Sequence, residues 1–110
     1  MSRAKGNKAE QQAVLFLQDS GFSIIEQNFY SRFGEIDIIA YKDEVLHFVE
    51  VKSGDDFEVA VQNITKTKLS RLIKTIDVYL KKHNIKDSSY TLDAIIITPD
   101  SIDLLESITL

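Results

Sequence analysis

The chain has 110 residues, 44% hydrophobic and 27% charged, with one proline and no cysteine. That suffices for one apolar core but not two, so a single domain over residues 1–110 is expected. The same composition argues against a disordered chain, and the lack of cysteine excludes disulfide staples, zinc–thiolate sites and thiol catalysis. The net charge of −4 runs against a nucleic-acid binder until its distribution is read. Between residues 62 and 86 stand Lys66, Lys68, Arg71, Lys74, Lys81, Lys82 and Lys86 with Asp77 as their only acid, and Arg3, Lys5 and Lys8 crowd the start. A basic stripe beside an acidic remainder suits a site that handles phosphates, although lysine-rich helix faces are often simply solvated. No apolar run approaches the roughly 20 residues that span a bilayer, so no membrane partner is expected. The basic first residues lack the apolar stretch of a signal peptide, and a cytoplasmic location is the expectation.

In chain order, Ala9, Ala13, Phe16 and Leu17 recur at helical spacing over residues 8–20, and Gly21 is a good stop signal. Residues 22–28 read as a first strand. Residues 35–41 and 45–52, rich in β-branched side chains, read as two more, joined by a short polar link into an antiparallel hairpin. Residues 53–63 read as a loop or short irregular strand, with Gly54-Asp55-Asp56 as turn signal. From Thr65, a candidate N-cap, Leu69, Leu72, Ile73, Ile76, Tyr79 and Leu80 mark one face of a helix that runs to His83. Residues 90–98 predict a fourth strand, and the tail from Ser101 reads as a short helix or an edge strand. Helices must cover a mixed sheet, so the class is α/β, bordering on α+β, in three layers.

The chemistry concentrates in the hairpin. Alternation puts Leu46, Phe48, Glu50 and Lys52 on one face of the third strand, so two charges continue a partly buried apolar row. On the second strand Glu35, Asp37, Ile39 and Tyr41 share a face, opposite Ile36, Ile38 and Ala40. If Asp43-Glu44 is a two-residue loop, Lys42 pairs with Val45 and Asp37 stands opposite Glu50. A three-residue loop would separate them. Two carboxylates and a lysine at one strand end suit phosphodiester cleavage, because hard oxygens take Mg²⁺ or Mn²⁺ and a cation beside them stabilises charge on the phosphate. A surface acid–lysine ladder is the competing reading. Glu10 shares the inward side of its helix with Ala13, Val14 and Leu17, which is costly without a cation or donor nearby. A first-turn acid favoured by the helix dipole is the alternative there.

Gly6-x-x-x-Glu10, Phe16-Leu17, Gly21-Phe22, Asn28, Gly34-Glu35-Ile36-Asp37 and Phe48-Val49-Glu50-Val51-Lys52 together resemble the YraN-like family of small bacterial proteins. That family resembles the PD-(D/E)xK nuclease-like superfamily, which includes Holliday-junction resolvases and many restriction enzymes. The resemblance runs from Gly6 to Asp93 and implies a restriction-endonuclease-like fold, a central mixed sheet flanked by helices. It also implies Asp37, Glu50 and Lys52 as catalytic residues, Glu10 as the helix acid that completes the metal site, and the Val51 carbonyl as a further ligand. Departures touch substrate contacts. Ser53-Gly54 stands where a base often follows the lysine, and Thr91 where an arginine often precedes the last strand's aspartate.

The expected function is a Mg²⁺- or Mn²⁺-dependent endonuclease acting on DNA, on branched or single-stranded structure, with Lys5, Lys8, Arg32, Lys66, Lys68 and Arg71 as candidate nucleic-acid contacts. A non-catalytic nucleic-acid-binding or scaffold module of the same fold is the rival, and a protein–protein adaptor the third reading. Cutting both strands of a duplex calls for two sites, so a homodimer is expected. His47, on the strand face away from Glu50, reads as a satisfied core or edge histidine rather than a ligand, and His83 as a helix C-terminal cation. Glu35 reads as a solvated neighbour, with a role in the site as the alternative. Tyr30 and Phe33, which flank Arg32, can stack on bases or close a core. The carboxylates of Glu10, Asp37 and Glu50 are expected to converge within one metal's reach beside Lys52. Without metal, at least one of the three should have a raised pKa.

Overall fold

The computed structural model describes residues 2–86 and 89–108, with side chains from residue 8 onward. Its elements are α1 (Ser2–Asp19), β1 (Ser23–Ser31), β2 (Gly34–Lys42), β3 (Val45–Ser53), α2 (Phe57–Gln62), α3 (Lys66–Lys82), β4 (Tyr90–Ile97) and β5 (Ile102–Leu105). The strands form one sheet in the order β1-β2-β3-β4-β5. All neighbours are antiparallel except β3 and β4, which run parallel because α2 and α3 carry the chain back between them.

Local chemistry explains the boundaries. At the end of α1 the Phe22 N–H donates to Leu17 O and the Gly21 N–H to Gln18 O, with Gly21 at φ +92°. That is the double bond and left-handed residue of a Schellman stop, which glycine adopts without strain. Thr65 caps α3 as expected, its Oγ1 accepting from the Lys68 N–H at 3.2 Å. The β2–β3 link is the two-residue turn Asp43-Glu44, both residues at positive φ (50° and 65°), the backbone of a hairpin turn that matches strand twist. Three expectations need correction or completion. Residues 57–62 are a helical turn rather than a loop, because Asp56 accepts from the Val59 N–H and Ala60 fits against Ala94 and Ile96. The tail resolves as an edge strand paired with β4. On α3, Thr75 is buried and Ile73 is 41% exposed, since the Thr75 hydroxyl satisfies itself on Arg71 O and Ser31 Oγ.

Two apolar layers enclose the sheet. Ala9, Ala13 and Leu17 of α1 pack on Ile38, Ala40, Val49, Ile95 and Ile97. Leu69, Leu72, Ile76 and Tyr79 of α3 pack on Phe29, Ile39, Phe48 and Leu92. At about 1.5–3 kcal/mol for each fully buried large side chain, these layers hold the sheet rigid from both sides. Among the described residues no helix is long and apolar enough to cross a membrane.

Candidate active site

Opposed residues of β2 and β3 carry numbers adding to 87, from Lys42 with Val45 to Ile38 with Val49. The next position in that register sets Asp37 against Glu50, as the two-residue loop requires. Their carboxyl groups lie close enough to share a proton, and Asp37 Oδ2 also accepts from the Val51 N–H at 2.8 Å. Burial, and then the hydrogen bond and negative charge of Glu50, push the Asp37 carboxyl up to about 9. The Val51 N–H pulls it down and the charge of Glu35 adds to the rise. Lys52 does not cancel this effect. Its Nζ stands 3.9 Å from Glu50 Oε2, beyond hydrogen-bond reach, on a side chain 26% exposed. The expected raised pKa is therefore at Asp37.

On β1, Asn28 sits at φ +56° in the position between the pairs Gln27–Ile38 and Phe29–Ile36, opposite Asp37. Face alternation slips here. Ile36 packs with Ile39 on the α3 side while Ile38 and Ala40 face α1, so the expected grouping of Ile36 with Ile38 is corrected. From this kink Asn28 Nδ2 donates to Glu10 Oε1 at 2.9 Å and to Glu35 Oε2 at 2.7 Å. One amide thus bridges two acids from α1 and β2. Glu35 is a member of the site, not a solvated neighbour, and Asn28 is the residue that pattern reading passed over. Its signal was an asparagine, tolerant of left-handed backbone, in the middle of a strand.

Glu10, Glu35, Asp37, Glu50, Val51 and Lys52 line one cleft of about 350 Å³, together with Lys68 and Arg71 of α3 and Phe33 of the β1–β2 turn. The expected convergence of three carboxylates on one point is not found. Among the described residues no three His, Cys, Asp or Glu side chains gather as an ion-holding group. Glu10 is turned to the Asn28 amide, and the hydrogen bond and negative charge of Glu50 raise the Asp37 pKa. The donor set still suits a hard dication, since Mg²⁺ takes one or two carboxylates and keeps its waters. The buried Asp37–Glu50 pair is held together at a cost that a 2+ charge in place of the proton removes.

Of the expected nucleic-acid contacts, Lys68 and Arg71 line the cleft, and Arg32 lies with its guanidinium 4.8 Å over the Phe33 ring. Lys8 lines an adjoining depression that shares Ala9 and Ser53 with the cleft. Lys66 is exposed at the start of α3 and is not among the cleft residues. The Lys5 side chain lies outside the described residues. His47 is the buried histidine that its strand face implied. Its Nδ1 meets Asp93 Oδ2 at 2.6 Å and Thr91 Oγ1 at 2.9 Å, and Phe22 packs edge-on at 4.9 Å.

Residues 9–97 match the model of the uncharacterised protein family UPF0102. The chain is 68% identical over 110 residues to a UPF0102 protein of Sulfurimonas denitrificans, covering 100% of both chains. A UPF0102 protein of Wolinella succinogenes is 56% identical over 110 residues, again covering 100% of both. One from Helicobacter pylori is 50% identical over 107 residues, covering 97% of this chain and 92% of that one. The family match and these full-length identities agree with the motifs: the chain belongs to the UPF0102, or YraN-like, family.

Proposed function

We propose that this protein is a Mg²⁺- or Mn²⁺-dependent endonuclease of the PD-(D/E)xK type, with a restriction-endonuclease-like fold, that hydrolyses phosphodiester bonds in DNA. The observation that carries the reading is the buried Asp37 carboxyl set against Glu50 beside Lys52, in a cleft that Lys68 and Arg71 also line. Asp37, Glu50 and the Val51 carbonyl would hold the ion, with Glu10 within the same cleft. When bound, the ion supplies charge neutralisation at the phosphate and a more acidic water. The rest falls to the chain. Lys52, not locked to Glu50, is able to hold the attacking water or donate to a phosphate oxygen as negative charge builds there. Arg71 and Lys68 line the same cleft as the acids and would grip the flanking phosphates, the arginine in bidentate fashion. The Asn28 amide keeps Glu10 and Glu35 from swinging away. A cytoplasmic homodimer that acts on branched or single-stranded DNA completes the reading.

The test uses labelled linear, nicked and four-way-junction DNA with Mg²⁺, with Mn²⁺ and with EDTA. Cleavage that requires the metal and disappears in Asp37→Asn and Glu50→Gln supports the assignment. Cleavage that persists in both variants comes from elsewhere. Salt-sensitive binding with no cleavage under any metal would establish the rival, a nucleic-acid-binding scaffold.

A further inference from the structure

The turn joining β1 to β2 has only two residues, Arg32 and Phe33, between the paired Ser31 and Gly34. Such a turn points its side chains outward, where a phenylalanine needs a reason. Packing does not supply one, since Phe33 belongs to none of the three apolar clusters of the described residues. It is nevertheless held in place. The Phe33 N–H donates to Ser31 Oγ at 3.0 Å, and Ser31 Oγ meets Thr75 Oγ1 at 2.9 Å. Thr75 is fully buried on α3. The turn is thus stapled to the rigid helix that carries Arg71.

Two cations attend the ring, Arg32 Cζ at 4.8 Å and Lys74 Nζ at 5.6 Å from its centroid. Both belong to exposed, long side chains, so each contact is weak and exchangeable. Phe33 also stands on a ridge. It lines the acid cleft on one side and, on the other, a depression edged by Lys74 and the half-exposed Ile73 and Tyr90.

We propose that Phe33 is a stacking platform for an unpaired nucleobase next to the scissile phosphate, which makes the cleft selective for single-stranded DNA over duplex. The inference rests on the nuclease reading of the cleft. An aromatic face fixed on a rigid scaffold is what an extruded base requires, and every base has a π-face to offer. A base within an intact duplex is already stacked on both sides and gains nothing. As the base settles on the ring, Arg32 and Lys74 are displaced only far enough to reach its flanking phosphates. The basic groups then bind any DNA, and the ring chooses the unpaired strand.

The experiment is fluorescence anisotropy with a labelled oligo(dT) strand and a blunt duplex of equal length, on the full chain in EDTA. Phe33→Leu keeps apolar bulk and removes the π-face. It should weaken oligo(dT) binding about 5- to 150-fold, with duplex affinity unchanged. Phe33→Trp, with unaltered melting temperature, should bind oligo(dT) at least as tightly as wild type. Arg71→Ala should weaken both DNAs. Equal loss of both DNAs in Phe33→Leu, no loss of either, or no wild-type preference for the single strand overturns the proposal. Because no bond is cut in this assay, the two readings fail separately. Loss of the nuclease reading appears as absent cleavage with Mg²⁺ or Mn²⁺, and loss of the platform as insensitive oligo(dT) binding in a protein that still cuts.

Discussion

Replacing Asp37 by asparagine removes a titration while keeping its shape. The asparagine Oδ1 still accepts from the Val51 N–H, and its Nδ2 donates to Glu50 as the shared proton did. In the metal-free wild type the carboxyl is pushed up to about 9 in the folded chain, from 3.8 without the fold. Between those values the native state holds a proton that the unfolded state releases, so stability falls as pH rises and is lost progressively through that window. At about 1.4 kcal/mol per pH unit, the rise from the lower value to pH 7 removes at most about 4 kcal/mol. That is a large share of the roughly 5–15 kcal/mol that holds a domain together. With about 4–8 °C of melting temperature per kcal/mol, it is plainly measurable. Thermal melts in EDTA from pH 5 to 8 should show wild type losing ten degrees or more relative to Asp37→Asn, with the two converging at low pH. Adding Mg²⁺ at pH 8 should restore wild type and leave Asp37→Asn unmoved. Parallel pH profiles for the two proteins would refute the shared proton, and with it the argument that the pair awaits a cation.

Asn28→Gly keeps the left-handed backbone at φ +56° and deletes the bridge to Glu10 and Glu35, so DNA cleavage should drop more than tenfold with stability within about 1 kcal/mol, read by turnover and chemical denaturation. Glu44→Gly relieves a side chain at φ +65° in the hairpin turn and should stabilise by up to about 1 kcal/mol, a melting gain of a few degrees. Asp93→Ala leaves buried His47 with Thr91 alone and the Ser107 N–H without its acceptor, at a cost of about 1–3 kcal/mol in urea denaturation, yet any protein still folded should retain its DNA affinity because this network lies outside the acid cleft. An unchanged urea midpoint would mean that water replaces the aspartate without penalty.

The elements were legible where one interaction dominates. The periodicity of Leu69, Leu72, Ile76 and Tyr79 located α3, and the two residues between Lys42 and Val45 set the register that opposes Asp37 to Glu50. What pattern could not carry was competition between backbone and side chain. Thr75 enters the core in place of Ile73 because a neighbouring carbonyl and Ser31 satisfy its hydroxyl. Residues 57–62 turn helical on the strength of one aspartate cap and one small residue against β4. In the site, strict alternation was the wrong premise around Asp37. Across from it stands the left-handed Asn28, whose amide bonds Glu35, and Ile36 groups with Ile39 rather than Ile38. A two-fold repeat holds only while every residue of both strands stays extended.

The hairpin that opposes Asp37 to Glu50 has a kinetic consequence. Only a two-residue turn separates the strands, so the two acids meet as soon as that short loop closes, long before β4 can join β3 across the intervening helices. Electrostatic repulsion therefore acts on the earliest assembly step, whereas the larger burial penalty arises only when the flanking helices dock. Acidification should then divide between the two limbs of a chevron plot. Refolding accelerates by the smaller, charge-derived share, and unfolding slows by whatever burial has yet to be completed at the transition state.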